Sequence, residues 1–344
     1  MDRAERAGPV PGGGAMVLLK ALRADARLTE WLRDLESEED APGEAVLPHA
    51  DELPDVLLDL SVPHEDINDL VTLRSRLAQD DEAMALLARC AARFVRDMGE
   101  IGKGWEPPSF PESAGPLGRL FHVYVFVAAL PHVRAYHRGR GVPEDVSRRT
   151  LADLGRQMAV HRRRRGTGGL LFPWWTALYF HGELFQLGRL QYQRARLGQR
   201  TGEAVAASGG RPGPGDPCLS VHIPDFRGPL TPSACERSLA LARAFFAEHF
   251  PEEPYEIAVC HSWLLDPQLR HHLPADSNII RFQDRFELTH QETTPDDGVP
   301  VGFVFGDPEL PVADLPRRSS VERAVVDHLR AGGHWYGGHG WFVL

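Results

Sequence analysis

The stretch that most constrains this chain lies between residues 218 and 260. Residues 218–223 (CLSVHI) alternate Leu219, Val221 and Ile223 against Cys218, Ser220 and His222, the period-two pattern of a half-buried strand. A breaker-rich turn at 224–230 leads to Thr231 and Pro232, an N-cap followed by a first-turn proline. Leu239, Ala242, Phe245 and Phe246 then recur at helical spacing until Pro251, and residues 255–260 (YEIAVC) read as a second strand. If the two strands are neighbours, the turn and the end of the second strand lie together outside the strands' carboxyl ends, where open α/β sheets gather ligands.

Around this core, residues 187–197 (LGRLQYQRARL) read as a strand and 198–217 as a Gly/Pro/Ser-rich loop without periodicity. Downstream, Asp266-Pro267 opens a short helix, and Ser277-Asn278 caps another with Ile279, Phe282 and Phe286 inward. Residues 286–292 and 299–305 read as a hairpin turning at Asp297-Gly298. A capping box at 319–322 starts a helix to Leu329, and 341–344 is a closing strand.

The first half reads as helices. Asp80 and Asp81 cap one whose inward stripe is Met84, Leu87, Ala91, Phe94, Val95 and Met98. Residues 117–133 are apolar enough for a buried helix or a strand. A helix from Pro143, with Val146, Leu151, Leu154 and Met158 on one face, ends in four arginines, 162–165, which the helix dipole favours as a solvated terminus over a phosphate site. The expected organisation is a disordered tail (1–15), a helical domain (16–172) and a mixed-sheet domain (173–344), an α+β or α/β chain. The aromatic residues Trp174, Trp175, Tyr179 and Phe180 read as inter-domain core or as a wall on the acceptor side.

Charge excludes one class of function. The net charge of -10 is concentrated in residues 1–60, with 6 basic and 14 acidic side chains, and only 61–175 leans basic, with 17 against 13. That is no footprint for a nucleic-acid binder. Four scattered cysteines form neither a zinc ribbon nor a C-x-x-C pair, which fits a reducing cytoplasm. The longest apolar run, 123–130, is too short to span a bilayer, and no apolar h-region marks a signal peptide.

Most familiar motifs are missing. There is no G-x-S-x-G, H-E-x-x-H or Walker A. Residues 163–168 and 199–204 match [RQ]-x-x-G-x-[GA], but a helix end and a loop are the wrong contexts for a phosphate turn. His181 and Glu183 lack the cysteines of a zinc deaminase. His328, His334 and His339 have no metal-ligand spacing, so no metal is expected.

Two strand ends concentrate the chemistry. At the first, His222 is followed by Arg227, Gly228 and the helix start with Thr231 and Ser233, which together can present N–H groups and a guanidinium to an anion. The ordinary alternative is a plain strand-to-helix turn. At the second, Cys260-His261-Ser262-Trp263, alternation puts Cys260 and Ser262 on one face and His261 on the other. That geometry argues against a Cys–His or Ser–His dyad, and with it a hydrolase.

His222-Ile223-Pro224, the string 260–267 (CHSWLLDP), and Ser277-Asn278-Ile279 with Phe282 resemble the GNAT-like acyltransferases that join an N-acyltransferase N-terminal helical domain to a GNAT-like C-terminal domain. The resemblance runs from about residue 46 onward and is most specific at HSWLLDP. It implies a bacterial acyltransferase that takes acyl-CoA as co-substrate, with no resident cofactor, and acylates a small-molecule or peptide acceptor, an amine above all. It further implies CoA pyrophosphate over the turn with Arg227, Gly228, Thr231 and Ser233, pantetheine between the strands, and the thioester near His222, Cys260 and Ser262. His222 or His261 would then serve as base and Ser262 as proton donor. DFRGPLT stands where the family has [RQ]-x-x-G-x-[GA], so a catalytically silent module that binds acyl-CoA or a protein is the alternative.

Overall fold

The computed structural model of the chain describes residues 14–37 and 45–344. The tail expected over 1–15 falls outside them except for its last two residues, which open the first helix. The described residues form two compact units. The first gathers residues up to Met98 with Trp105–Arg134 and Leu151–Phe180; the second takes Gly99–Gly104, Ala135–Thr150 and His181–Leu344.

The first unit is helical: α1 (Gly14–Ala24), α2 (Ala26–Glu36), α3 (Leu53–Asp59), α4 (His64–Leu77), α5 (Asp81–Arg96) and most of α6 (Gly115–Gly139). The helix expected from Pro143 is two, α7 (Glu144–Leu151), nearly all of it in the second unit, and α8 (Asp153–Arg165), which returns to the first with α9 (Pro173–Phe180). Asp80 caps α5 as expected, accepting from Ala83 N at 2.8 Å. The face it buries is Ala83, Leu86, Leu87, Cys90 and Phe94, so the expected stripe is rotated and only Leu87 and Phe94 belong to it. The apolar run at 123–130 lies within α6, which, contrary to expectation, is long and apolar enough to span a membrane; 72% of its most apolar stretch is buried inside the protein, as in a core helix. Arg162, first of the four arginines, pairs with fully buried Asp66, its Nε 3.1 Å from Oδ1.

The second unit is built on β1 (Leu184–Leu187), β2 (Leu190–Arg196), β3 (Pro217–His222), β4 (Ile257–Ser262), β5 (Glu287–Gln291) and β6 (Gly338–Val343), in the order β1-β2-β3-β4-β6-β5. Only β3 and β4 run parallel; the sheet is mixed, as expected. Its helices are α10 (Gln199–Ala207), α11 (Pro232–His249), α12 (Asn278–Gln283), α13 (Gly298–Phe305) and α14 (Ser320–Arg330). On one face, Leu219, Val221, Ala258 and Cys260 pack against Leu239, Ala242, Phe245 and Phe246 of α11. Burying the leucine, valine and phenylalanine side chains among these contributes about 1.5–3 kcal/mol each, so α11 supports the β3–β4 pair from this face. On the other face, Cys218, Ile257 and Trp341 pack with Val205 of α10.

Three expectations need correction. The strand read over 187–197 is a hairpin, because Gly188, at φ +74°, and Arg189 reverse the chain and Leu187 pairs with Leu190. The loop at 198–217 contains α10, so the second [RQ]-x-x-G-x-[GA] match lies inside a helix. The 286–305 hairpin is absent: 299–305 is α13, and the partner of β5 is β6. A short apolar run cannot declare itself strand or helix by period alone. Here Val301 and Phe305 join Trp335 and Val325 in a satellite core, leaving the edge of β5 to the chain's last strand.

Candidate active site

β3 and β4 share just two register pairs, Leu219↔Ala258 and Ser220↔Val259. Beyond them β3 stays bonded to β2 as far as Gln191↔His222, and β4 to β6 as far as Ser262↔Gly338. The middle strands therefore diverge at their C-terminal ends, each held by its outer neighbour. Backbone edges that face a gap can take hydrogen bonds from an extended chain laid between them.

His222 ends β3, with its Nε2 3.0 Å from Gln193 Oε1 on β2. An amide oxygen only accepts, so Nε2 carries the hydrogen and Nδ1 the lone pair. Burial, reinforced by His261 nearby, pushes the His222 pKa down to about 4. The ring is therefore a neutral base at ordinary pH.

His261 is exposed and stacks on His339 of β6, ring centroids 4.0 Å apart and 8° from parallel. As alternation predicts, Cys260 points the other way. It packs in the α11-side core, where burial raises its thiol to about 12. The structure does not bring Cys260 to the histidine face, and no thiolate is available there. Ser262 Oγ accepts from Leu264 N at 3.1 Å and caps the short 3₁₀ turn Trp263–Leu265.

The turn after β3 carries the remaining candidates. Arg227 lies over the ring of Phe226, 5.0 Å from its centroid. Gly228 has φ +76°, a left-handed conformation that glycine adopts without strain, and nothing lies within 4 Å of where a Cβ would be. Thr231 Oγ1 accepts from Ala234 N at 3.2 Å and sits 3.4 Å from Ser233 Oγ at the start of α11. Thr231 and Ser233 thus stand at the N-terminus of α11, with Arg227 and Gly228 in the turn that leads to it.

Sequence reasoning missed Arg189. In the β1–β2 turn it is only 9% exposed, donates from Nη1 to Pro224 O at 2.9 Å, and leaves a buried Nε without a partner. Burial lowers its pKa, with Asp225 opposing. Ser238 fixes this turn to α11 by accepting from Leu190 N at 3.0 Å. The only sequence signal was the glycine ahead of it. Asp266 opens the short 3₁₀ helix Pro267–His271 as expected, but it does more: fully buried, it accepts from Gln268 N (2.9 Å), Gln291 Nε2 (3.0 Å) and Tyr336 N (2.9 Å), tying β5 and the approach to β6 onto the end of β4.

Residues 184–342 match the family profile of the GNAT-like C-terminal domain, and residues 51–182 that of the N-acyltransferase N-terminal domain. A solved structure described as an acyltransferase in complex with decanoyl-CoA is 38% identical, covers 96% of this chain and 99% of its own, and superposes with a TM-score of 0.83. The chain belongs to this acyltransferase family. A second solved structure, an acyltransferase in complex with decanoyl-CoA and teicoplanin, is 37% identical over 94% of this chain and 99% of its own, with a TM-score of 0.82. No curated protein matches. The two profiles of the acyltransferase meet at Glu183, directly ahead of β1, so the GNAT-like part begins with the sheet that carries His222.

Proposed function

We propose that the protein transfers a medium-chain fatty acyl group from acyl-CoA to an amine of a small molecule of the kind represented by teicoplanin. The observation that carries this reading is the parting of β3 and β4 beside a neutral His222, in a chain similar along nearly its whole length to acyltransferases solved with decanoyl-CoA. In this scheme the pyrophosphate lies on the 224–233 turn, met by Arg227, the N-terminal N–H groups of α11 and, from beneath, Arg189. Pantetheine extends between the strands, and the thioester carbonyl reaches His222. The acceptor nitrogen attacks that carbonyl, His222 Nδ1 takes a proton from nitrogen, the C–N bond forms and the C–S bond breaks. CoA leaves as a thiolate that takes a proton, with the Ser262 hydroxyl as the candidate donor. Cys260 has no chemical part in this scheme.

The same reading places the protein in a bacterial cytoplasm, in keeping with four buried cysteines held as thiols and not as disulfides. Incubation with decanoyl-CoA and teicoplanin, read as thiol release and as a product heavier by one decanoyl group, tests it. Thermal stabilisation by decanoyl-CoA without turnover on any amine would instead favour a silent binding module. Absence of stabilisation by any acyl-CoA would overturn both.

A further inference from the structure

On the side of the sheet where α10 packs, three adjacent strands bring histidines into line. His261 on β4 is in register with His339 on β6, and His339 with His290 on β5. The second pairing depends on a bulge between Leu288 and His290 that shifts β5 by one residue. Bulges of this kind re-aim side chains beside functional sites. The rings stack, His261 on His339 and His339 on His290, both with centroids 4.0 Å apart. Glu292, just past β5, closes the group with its Oε1 2.7 Å from His339 Nε2.

We propose that His261, His339 and Glu292 form a binding site for a divalent transition-metal ion, Zn²⁺ in the first instance. One ligand atom from each lies within 4.8 Å of the others. Ligands about 2.0–2.2 Å from a tetrahedral Zn²⁺ are about 3.3–3.5 Å apart, so closure requires shifts of about an ångström, made by the exposed His261 and Glu292 toward the half-buried His339. Two imidazoles and a carboxylate are a donor set suited to Zn²⁺, and the fourth position is open to water. The backbone is shaped to leave room: a Cβ on Gly337 would come within 2.5 Å of His261 Nε2 and 3.3 Å of Glu292 Cγ, so a larger residue there would fill the site. Chain order conceals the group, because its ligands come from three separate strand ends. The assignment gives His261 to the ion and leaves His222 as the base, and it holds whatever the acceptor is.

The test reads metal rather than acyl transfer. Titration of the intact protein with Zn²⁺ by calorimetry, and with Co²⁺ by its visible d–d absorption, should show one ion per chain, with affinity falling about 100-fold or more in both His339→Ala and Glu292→Ala. A second surface group, His272 with Nε2 3.2 Å from His328 Nδ1, provides the control, and His272→Ala should leave the affinity unchanged. Wild-type protein that binds no ion at about 100-fold excess, or binding that survives His339→Ala but not His272→Ala, would overturn the proposal.

Discussion

His222 Nε2 lies 3.0 Å from Gln193 Oε1, a diagonal contact between β3 and β2 that orients the ring and fixes its tautomer. Both protonation states of the ring can donate from Nε2, so the contact governs which nitrogen faces the reaction more than whether the ring is charged. Gln193→Leu should therefore lower kcat about tenfold, leave the KM for the donor unchanged, and barely move the acidic limb of the pH–rate profile. With a weakly basic amine as acceptor, that limb should fall well below the ordinary histidine range, because the His222 pKa is near 4: activity persists as pH drops through 6.5 and is lost as it falls toward 4. A limb at the ordinary histidine value would count against His222 as the base.

Arg189 is a buried guanidinium whose own fold gives it one backbone carbonyl, and an arriving phosphate would complete its hydrogen bonding. Charged hydrogen bonds contribute about 1.5–3 kcal/mol, so Arg189→Leu should weaken decanoyl-CoA binding about 10- to 100-fold by calorimetry. Arg227→Ala should weaken it about tenfold. Decanoyl-pantetheine, which lacks the phosphates, should bind both variants as it binds the wild type. Equal losses for the two ligands would point to a distorted turn instead of an anion site.

Acid should loosen the helical unit through His122. Its ring lies among Trp105, Phe110 and Phe121, Nε2 is buried without a hydrogen-bond partner, and burial lowers its pKa to about 3. The folded state thus refuses a proton that the unfolded chain accepts below 6.5. Stability is complete above that value and declines as pH falls from there toward 3, by up to about 1.4 kcal/mol per pH unit. Urea denaturation at about pH 7 and pH 5 should show this loss in the wild type and a smaller one in His122→Phe. Identical losses in the two proteins would remove the assignment.

Asp266 explains why the HSWLLDP string carries an acid before its proline. Asp266→Ala strands partly buried donors on Gln268, Gln291 and Tyr336, and should destabilise the second unit by about 2–4 kcal/mol in urea unfolding. Asp266→Asn keeps one acceptor and should cost less. No change in either variant would mean the network is not needed.

What the sequence revealed followed the strength of its local signals. Alternation in CLSVHI, the Thr231–Pro232 helix start and the spacing of Leu239, Ala242, Phe245 and Phe246 are local properties, and they located β3 and α11. The 299–305 run was misread because its fate rests on Trp335 and Val325 packing onto it from far along the chain. Candidate residues next to the strand ends, His222, Arg227, Gly228 and Thr231, were legible for the same local reason. Arg189 and the His261–His339–His290 row were not, because the first reaches the turn through a hairpin and the second exists only through strand order and a bulge.

The most direct test of the central claim is single-turnover acyl transfer from saturating decanoyl-CoA to a small-molecule amine in wild-type and His222→Ala protein, with donor affinity measured in parallel. Loss of the base should slow the chemical step by about 10²- to 10⁴-fold with the dissociation constant for decanoyl-CoA unchanged. Transfer at the wild-type rate in His222→Ala would contradict it.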